Sequence, residues 1–300
     1  LINICHFTNS YMPELPEVEV VRRSLSNFIP GLKINKVNIF NSNLRFKISK
    51  NLKKNVEKQK ITSISRRAKF LLIKLQNNKV ILIHLGMTGK IFIKNKKTES
   101  TLVTSFYYDN KFKKKHNHLI LYLNNSTELI YNDVRKFGFI KILEFDQLQY
   151  NQHIYKLGPE PLSKNFNYNY LLSAVRKCKK NVKNFLMDQK YISGLGNIYA
   201  NEILFSSSIN PRKLVKKISN GEVVKIVFNT KKILMRSIQL GGSSIRDFNT
   251  VSGQKGKYQE MFMVYDRENK LCRKKKCNGR VKKIYINNRS TFFCNKCQNN

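Results

Sequence analysis

Met12-Pro13-Glu14-Leu15-Pro16-Glu17-Val18-Glu19 places a proline directly after a methionine that could be a translation start. If the chain is clipped after Met12, the Pro13 nitrogen becomes a free secondary amine. Such an amine attacks carbon and forms an iminium with an aldehyde or with the C1′ of a sugar, the chemistry of amine-based covalent catalysis. Eleven residues precede Met12 in the sequence, and with them attached the Pro13 nitrogen is an amide with no nucleophilic lone pair. Residues 1–12 are therefore expected to be absent from the active protein. The other reading of the same residues is a disordered tail followed by a turn proline.

The second chemical constellation is Cys272, Cys277, Cys294 and Cys297. Two pairs separated by a hairpin-length insert present four thiolates to one tetrahedral ion, and the ligand set suits Zn²⁺. No position is left for water, so the expected role is structural, and a unit of about 40 residues with so little core of its own needs the metal to fold. Arg273, Lys274, Lys275, Lys276 and Arg289 make this unit a cationic hairpin suited to a phosphate backbone. Cys178 stands alone and Cys5 lies in the leading segment, neither with a partner in sequence. Gly194-Leu195-Gly196-Asn197-Ile198-Tyr199-Ala200 reads as a tight turn opening a helix, where exposed N–H groups could hold a phosphate and Asn197 could add a donor.

These groups sit in a very basic chain. Lys and Arg number 57 against 18 Asp and Glu, giving a net charge of +39 and a pI near 10.1. That is the footprint of a polyanion binder, although AT-rich coding DNA would also raise lysine at neutral surface positions. Hydrophobic residues make up 41% of the 300, enough for two ordinary domains with a sizeable core. No apolar run approaches the roughly 20 residues of a membrane span, and residues 1–12 lack a secretory pattern. A cytoplasmic protein with no membrane association is expected.

The elements that must carry these residues fall into blocks. A helix is expected over residues 14–28, with Pro16 in its first turn, Glu17 and Glu19 facing the positive end of its dipole, and Pro30-Gly31 as the stop. From residue 33 to about 143 the pattern is β: Lys36–Phe40, Phe70–Leu75, Val80–His84 and Leu119–Leu123 read as strands, with turns at Gln76–Asn78 and Asn124–Ser126. Many short strands so connected suggest a two-sheet sandwich. Gly158-Pro159-Glu160-Pro161 reads as a rigid linker. Helices follow near 168–178, 182–190, 197–207 and 219–239, then a polar loop over 243–260 and a β-rich unit around the cysteines.

The opening motif, Arg67-Ala68-Lys69-Phe70-Leu71, His84-Leu85-Gly86-Met87-Thr88-Gly89, Gly158-Pro159-Glu160-Pro161-Leu162, Gly194–Ala200 and the cysteine finger occur in the order seen in bacterial formamidopyrimidine-DNA glycosylases. The resemblance runs from residue 12 to about 298. It implies an α+β multidomain fold: a β-sandwich catalytic domain over 13–146 with flanking helices, a linker over 147–161, a helix-two-turn-helix domain over 162–260 and a β-hairpin zinc finger over 261–300. It implies a monomeric base-excision-repair enzyme with one structural zinc, acting on double-stranded DNA with oxidised bases. Pro13 would attack C1′ of the damaged nucleotide and Glu14 would be the adjacent acid/base. Lys69, by itself a solvated strand lysine, would donate the proton in β-elimination, and Arg289 would hold phosphate for δ-elimination. Met87, Arg135 and Phe137 would fill the gap left by an extruded base, although Met87 and Phe137 read equally well as core residues. His116, Asn197 and Lys179 would contact DNA; Cys178 stands where the family has the last of these lysines, with Lys179 beside it. Tyr258 ends a loop, Gly253–Tyr258, with the outline of the family's lesion cap.

Two features depart from the family pattern. The first cysteine pair encloses four residues where the family usually has two, and the side chains next to Tyr258 differ. Leu15 and the Met87, Arg135 and Phe137 set favour oxidised purines as substrate. An endonuclease VIII-like enzyme for oxidised pyrimidines, or a non-catalytic basic zinc ribbon if Pro13 stays internal, are the competing readings.

Overall fold

The computed structural model describes residues 12–95, 101–104, 113–243 and 258–299. Helix α1 (Leu15–Ser26) is followed by β1 (Ile34–Ile39), α2 (Leu52–Val56), β2 (Ile61–Arg67), β3 (Phe70–Leu75), β4 (Lys79–His84), β5 (Gly89–Asn95), β6 (Thr101–Thr104), β7 (Asn117–Leu123), β8 (Thr127–Asp133) and β9 (Phe139–Glu144). The second half holds α3 (Tyr168–Arg176), α4 (Val182–Met187), α5 (Asn197–Ser206) and α6 (Asn220–Gln239), then β10 (Val281–Ile286) and β11 (Arg289–Cys294).

The strands form two antiparallel sheets, in the orders β1-β7-β8-β5-β6 and β2-β3-β4-β9. Their inner faces enclose Ile34, Val37, Ile61, Leu71, Ile73, Ile81, Ile83, Ile91, Leu121 and Leu129, with Val18, Val21 and Leu25 of α1 packed on the same core. The expected sandwich is present. The turns at 76–78 and 124–126 are made by Asn78 and Ser126 in the left-handed region, at φ 57° and 63°.

Helix α1 ends at Ser26, two residues short of expectation, and the chain reverses at Gly31, whose φ of +85° suits a residue without Cβ. Glu17 is not a surface dipole complement. It is buried, accepts the Glu14 N–H at 2.9 Å, and receives the Tyr199 hydroxyl at 2.5 Å together with the Ser243 N–H and hydroxyl at 2.8 and 2.7 Å. One carboxylate thus ties α1 to α5 and to the end of α6. Glu19 pairs with Arg22 at 2.8 Å and with Arg66 at 3.0 Å.

The helical half packs around Tyr199, Phe185, Leu204, Ile226 and Leu234, and the same cluster continues into the C-terminal hairpin through Val281 and Phe292. The hairpin therefore shares a core with the helices rather than standing alone, and Asn201 accepts the Phe292 N–H at 2.7 Å. Helix α4 stops at Met187 rather than 190, because Asp188 turns extended, at ψ 111°. Loop residues 244–257, with most of the expected lesion cap, lie outside the described residues.

Candidate active site and metal centre

A cleft of about 1050 Å³ opens between the sandwich and the helical half. Its walls include Met12, Glu14, Lys69, His84, Met87, Arg135, Phe137, Asn197 and Arg289. Residues from the first 14 positions and the last 12 thus meet around one space; Pro13, itself buried, lies between Met12 and Glu14 in the chain and is not among the residues that line the cleft.

Glu14 is the most constrained of these groups. Its side chain is 3% exposed, and its carboxylate accepts N–H bonds from Gly196 at 2.6 Å and Ile198 at 2.8 Å. The start of α5 read in sequence as a phosphate cradle; its N–H groups are instead occupied by Glu14, an anion supplied by the chain itself. Gly196 is required there, since a Cβ at that position would lie 2.4 Å from the Glu14 carboxyl carbon. Burial pushes the Glu14 carboxyl up to about 7, against the opposite pull of Lys69 and the two N–H groups.

Lys69 sits at the tip of the β2–β3 hairpin, whose strands pair at Arg67 and Phe70 around Ala68, at φ 51°. The tip is held from outside. Glu160 of the Gly158–Pro161 segment accepts from Ala68 N–H at 2.5 Å, Arg66 at 2.8 Å and Arg67 at 3.2 Å. The expected rigid linker is thereby also a clasp on the loop that aims Lys69. Burial lowers the Lys69 pKa, Glu14 and Glu17 oppose that, and Arg289 adds to it.

Arg289 opens β11 and is steered by its neighbour. The Ser290 carbonyl accepts from Asn197 Nδ2 at 2.9 Å and from Lys183 Nζ at 3.0 Å, and Lys183 also donates to Thr291 Oγ1 at 2.6 Å. Asn197 therefore grips the finger. Lys183 is fully buried, with its pKa lowered to about 7 by burial first and then by Arg289. Sequence reasoning missed it, because Val182-Lys183-Asn184-Phe185 looks like any amphipathic helix start. His84 was missed as well: it faces the cleft, accepts the Gly86 N–H on Nδ1 at 3.0 Å, and burial lowers its pKa to about 3. It is a neutral imidazole with Nε2–H as its donor.

Three expected residues lie elsewhere. Lys179 is exposed and lines a neighbouring hollow with Lys180, Arg212 and Arg289. His116 lies in the short turn Lys114–His116 before β7, and it is not a wall of the cleft. Tyr258 is 5% exposed, stacked on Tyr199 at 5.9 Å and edge-on to Phe262 at 5.8 Å, so its ring anchors the loop end in the helical core.

The four cysteine sulfurs lie within 4.8 Å of one another, with Cys272–Cys297 at 3.7 Å, Cys277–Cys294 at 3.8 Å and Cys277–Cys297 at 3.2 Å. A tetrahedral ion with metal–sulfur bonds of about 2.3 Å would set sulfurs about 3.8 Å apart, so the set fits a metal. Lys274, Gly279 and Cys297 each point an N–H at a cysteine sulfur at 3.4 Å. The longer first knuckle closes through Lys276 in the left-handed region, at φ 61°.

This architecture and this clustering have counterparts. Residues 12–140 match the formamidopyrimidine-DNA glycosylase N-terminal domain, and residues 157–249 match the formamidopyrimidine-DNA glycosylase H2TH domain. A formamidopyrimidine-DNA glycosylase of a Bradyrhizobium species is 38% identical over 293 residues, covering 96% of this chain and all of that one; the Roseobacter denitrificans enzyme of that name is 34% identical with the same coverage. Among solved structures, Lactococcus lactis Fpg bound to DNA containing an abasic site superposes with a TM-score of 0.84 at 32% identity, over 96% of this chain and all of that one. A point mutant of the same protein, in complex with Fapy-dG DNA, gives the same TM-score, identity and coverage. Two family models spanning most of the chain, and relatives matched along their whole length, make this chain a member of the formamidopyrimidine-DNA glycosylase family.

Proposed function

We propose that this chain excises damaged bases through the Pro13 amine, with Glu14 and Lys69 moving the protons. The chain is a base-excision-repair DNA glycosylase with lyase activity, and oxidised purines are its family's substrates. What supports the mechanism is the placement of Glu14: a carboxyl titrating near neutrality, next in chain to Pro13 and fixed on α5 inside the cleft.

With the chain beginning at Pro13, its nitrogen bonds to C1′ and the glycosidic bond breaks, its electron pair leaving with the base, which takes up the proton lost from the amine. Protonated Glu14 gives its proton to the opening sugar oxygen, and the proline nitrogen is left as an iminium. Loss of a C2′ proton then expels the 3′ phosphate in β-elimination, with Lys69 as proton donor, and a second elimination releases the 5′ phosphate. Arg289 binds phosphate through its planar fork. Met87, Arg135 and Phe137 occupy the space of the extruded nucleotide, and His116, Lys179 and Asn197 belong to the DNA-facing side. We assign one structural Zn²⁺ to the four cysteines. Double-stranded DNA is the partner, the working unit is a monomer, and the chain acts in the cytoplasm where that DNA lies.

Protein starting at Pro13 should excise 8-oxoguanine from a duplex faster than it excises thymine glycol, by about tenfold or more. Borohydride should trap it covalently on the first substrate. Preference for the pyrimidine lesion would move the chain to the endonuclease VIII-like reading, and failure to trap on either would leave a passive DNA binder.

A further inference from the structure

Two loops leave the same end of the five-stranded sheet: residues 85–88 run into β5, and residues 134–138 run out of β8. They carry Met87 on one side and Arg135 and Phe137 on the other, and Asp133 pairs with Gly89 across the sheet where both begin. The tips are open to solvent, with Phe137 43% exposed and the Arg135 guanidinium 4.5 Å over its ring. Their roots are closed.

Asp133 is wholly buried, and both of its carboxylate oxygens are engaged. Oδ1 accepts the Thr88 hydroxyl of the first loop and lies 3.3 Å from the Arg135 N–H of the second; that N–H also donates to Thr88 Oγ1 at 2.9 Å. Oδ2 accepts the Gly138 N–H at 2.8 Å and lies 3.3 Å from the Tyr131 hydroxyl. The two loops also meet backbone to backbone. A Cβ on Gly86 would lie 2.4 Å from Gly138 N and from Phe137 C, and Gly86 itself has φ +62°. Lys136, between the two tip residues, is held in the left-handed region at φ 56°.

We infer that the Asp133 carboxylate is a positioning group that locks these two loops into one preformed wedge, and so governs extrusion of the damaged nucleotide from a duplex. The inference rests on the reading that Met87, Arg135 and Phe137 fill the vacated space. A loop that must be ordered at the moment of insertion loses binding free energy to that ordering, and an acceptor shared by both loops removes the loss in advance. Bond making and breaking belong to Pro13, Glu14 and Lys69. Asp133 acts one step earlier, through the wedge.

Asp133→Asn keeps the volume but turns one acceptor oxygen into a donor. The amide NH2 then faces either the Gly138 N–H or the Arg135 N–H, donor against donor, so one loop loses its tether. Two rates are compared in protein starting at Pro13: single-turnover release of 8-oxoguanine from a duplex, and cleavage of a single strand with a preformed abasic site, which needs no extrusion. The duplex rate should fall about 10- to 100-fold relative to the single-strand rate, the span expected for losing a buried hydrogen bond to a charged group. The fluorescence rise of a 2-aminopurine placed next to the lesion should shrink in parallel. Thr88→Val, which removes only the bridging hydroxyl, should shift the ratio the same way by less, and it carries the test if the asparagine variant does not fold. An unchanged ratio in a folded variant, or equal loss of both rates, overturns the inference. Wild-type protein that releases no base and cleaves no abasic site would instead refute the proposed function itself.

Discussion

Glu14 shows how one burial suits a carboxyl to the role proposed for it. An exposed carboxyl at that position would be ionised at neutral pH and useless as a proton donor; burial pushes it up to about 7 against the opposite pull of Lys69 and the α5 N–H groups. The same shift has a thermodynamic signature. The native pKa lies above the ordinary 4.5, so between those values the folded protein holds a proton that the unfolded chain has released. The contribution of this group should therefore be greatest below about 4.5, fall as pH rises to about 7, by on the order of 3 kcal/mol, and be level beyond, while the lowered pKa of His84 contributes in the opposite sense at acid pH. Melting curves of Glu14→Gln should lack that component, and an unaltered slope would place the shifted group elsewhere. Lys69→Ala should leave the melting temperature near that of the parent while strand cleavage slows about 100-fold, the scale of one lost proton donor. An unchanged lyase rate would remove Lys69 from the mechanism.

At the scale of elements, Lys69, the proposed proton donor, depends on a hairpin held by a carboxylate 91 residues downstream of it, Glu160. Glu160→Ala leaves Arg66, Arg67 and the Ala68 N–H without their shared acceptor. A loss of about 1–3 kcal/mol is expected, together with slower strand cleavage, because the Ala68 N–H loses its acceptor and Arg67 its carboxylate while Arg66 keeps Glu19. Urea denaturation checks the first and abasic-site cleavage the second. Such ties explain what the sequence could and could not reveal. Phe70–Leu75 and Val80–His84 were legible as strands because their apolar runs end at turn residues, and the cysteines were legible because ligand type and local spacing suffice. The occupant of the α5 N-terminus was not, since Glu14 reaches it from 182 residues away. Lys183 was hidden for a related reason: its burial depends on the Ser290 carbonyl and Thr291 hydroxyl, which no local pattern announces.

Over the whole molecule, charge and the shared core set the behaviour. A net +39 chain that binds a phosphate backbone releases counterions, so affinity for duplex DNA should drop about 100-fold or more between roughly 50 and 200 mM salt. Flat binding over that range in a filter assay would contradict the basic-cleft reading. Metal removal should not be confined to the hairpin, because Val281 and Phe292 share the helical core and Ser290 fixes Arg289 against Asn197 and Lys183. Chelation is expected to release the hairpin, lower the melting temperature of the helical half and weaken DNA binding together; full affinity after verified metal loss would refute the assignment. The central claim, a proline amine bonded to deoxyribose, is tested most directly by peptide mapping of the borohydride-reduced adduct on 8-oxoguanine DNA. Protein starting at Pro13 should carry the sugar on that residue's nitrogen, and protein with Met12 still attached should carry none. A sugar found on Lys69 or any other side chain would contradict the account.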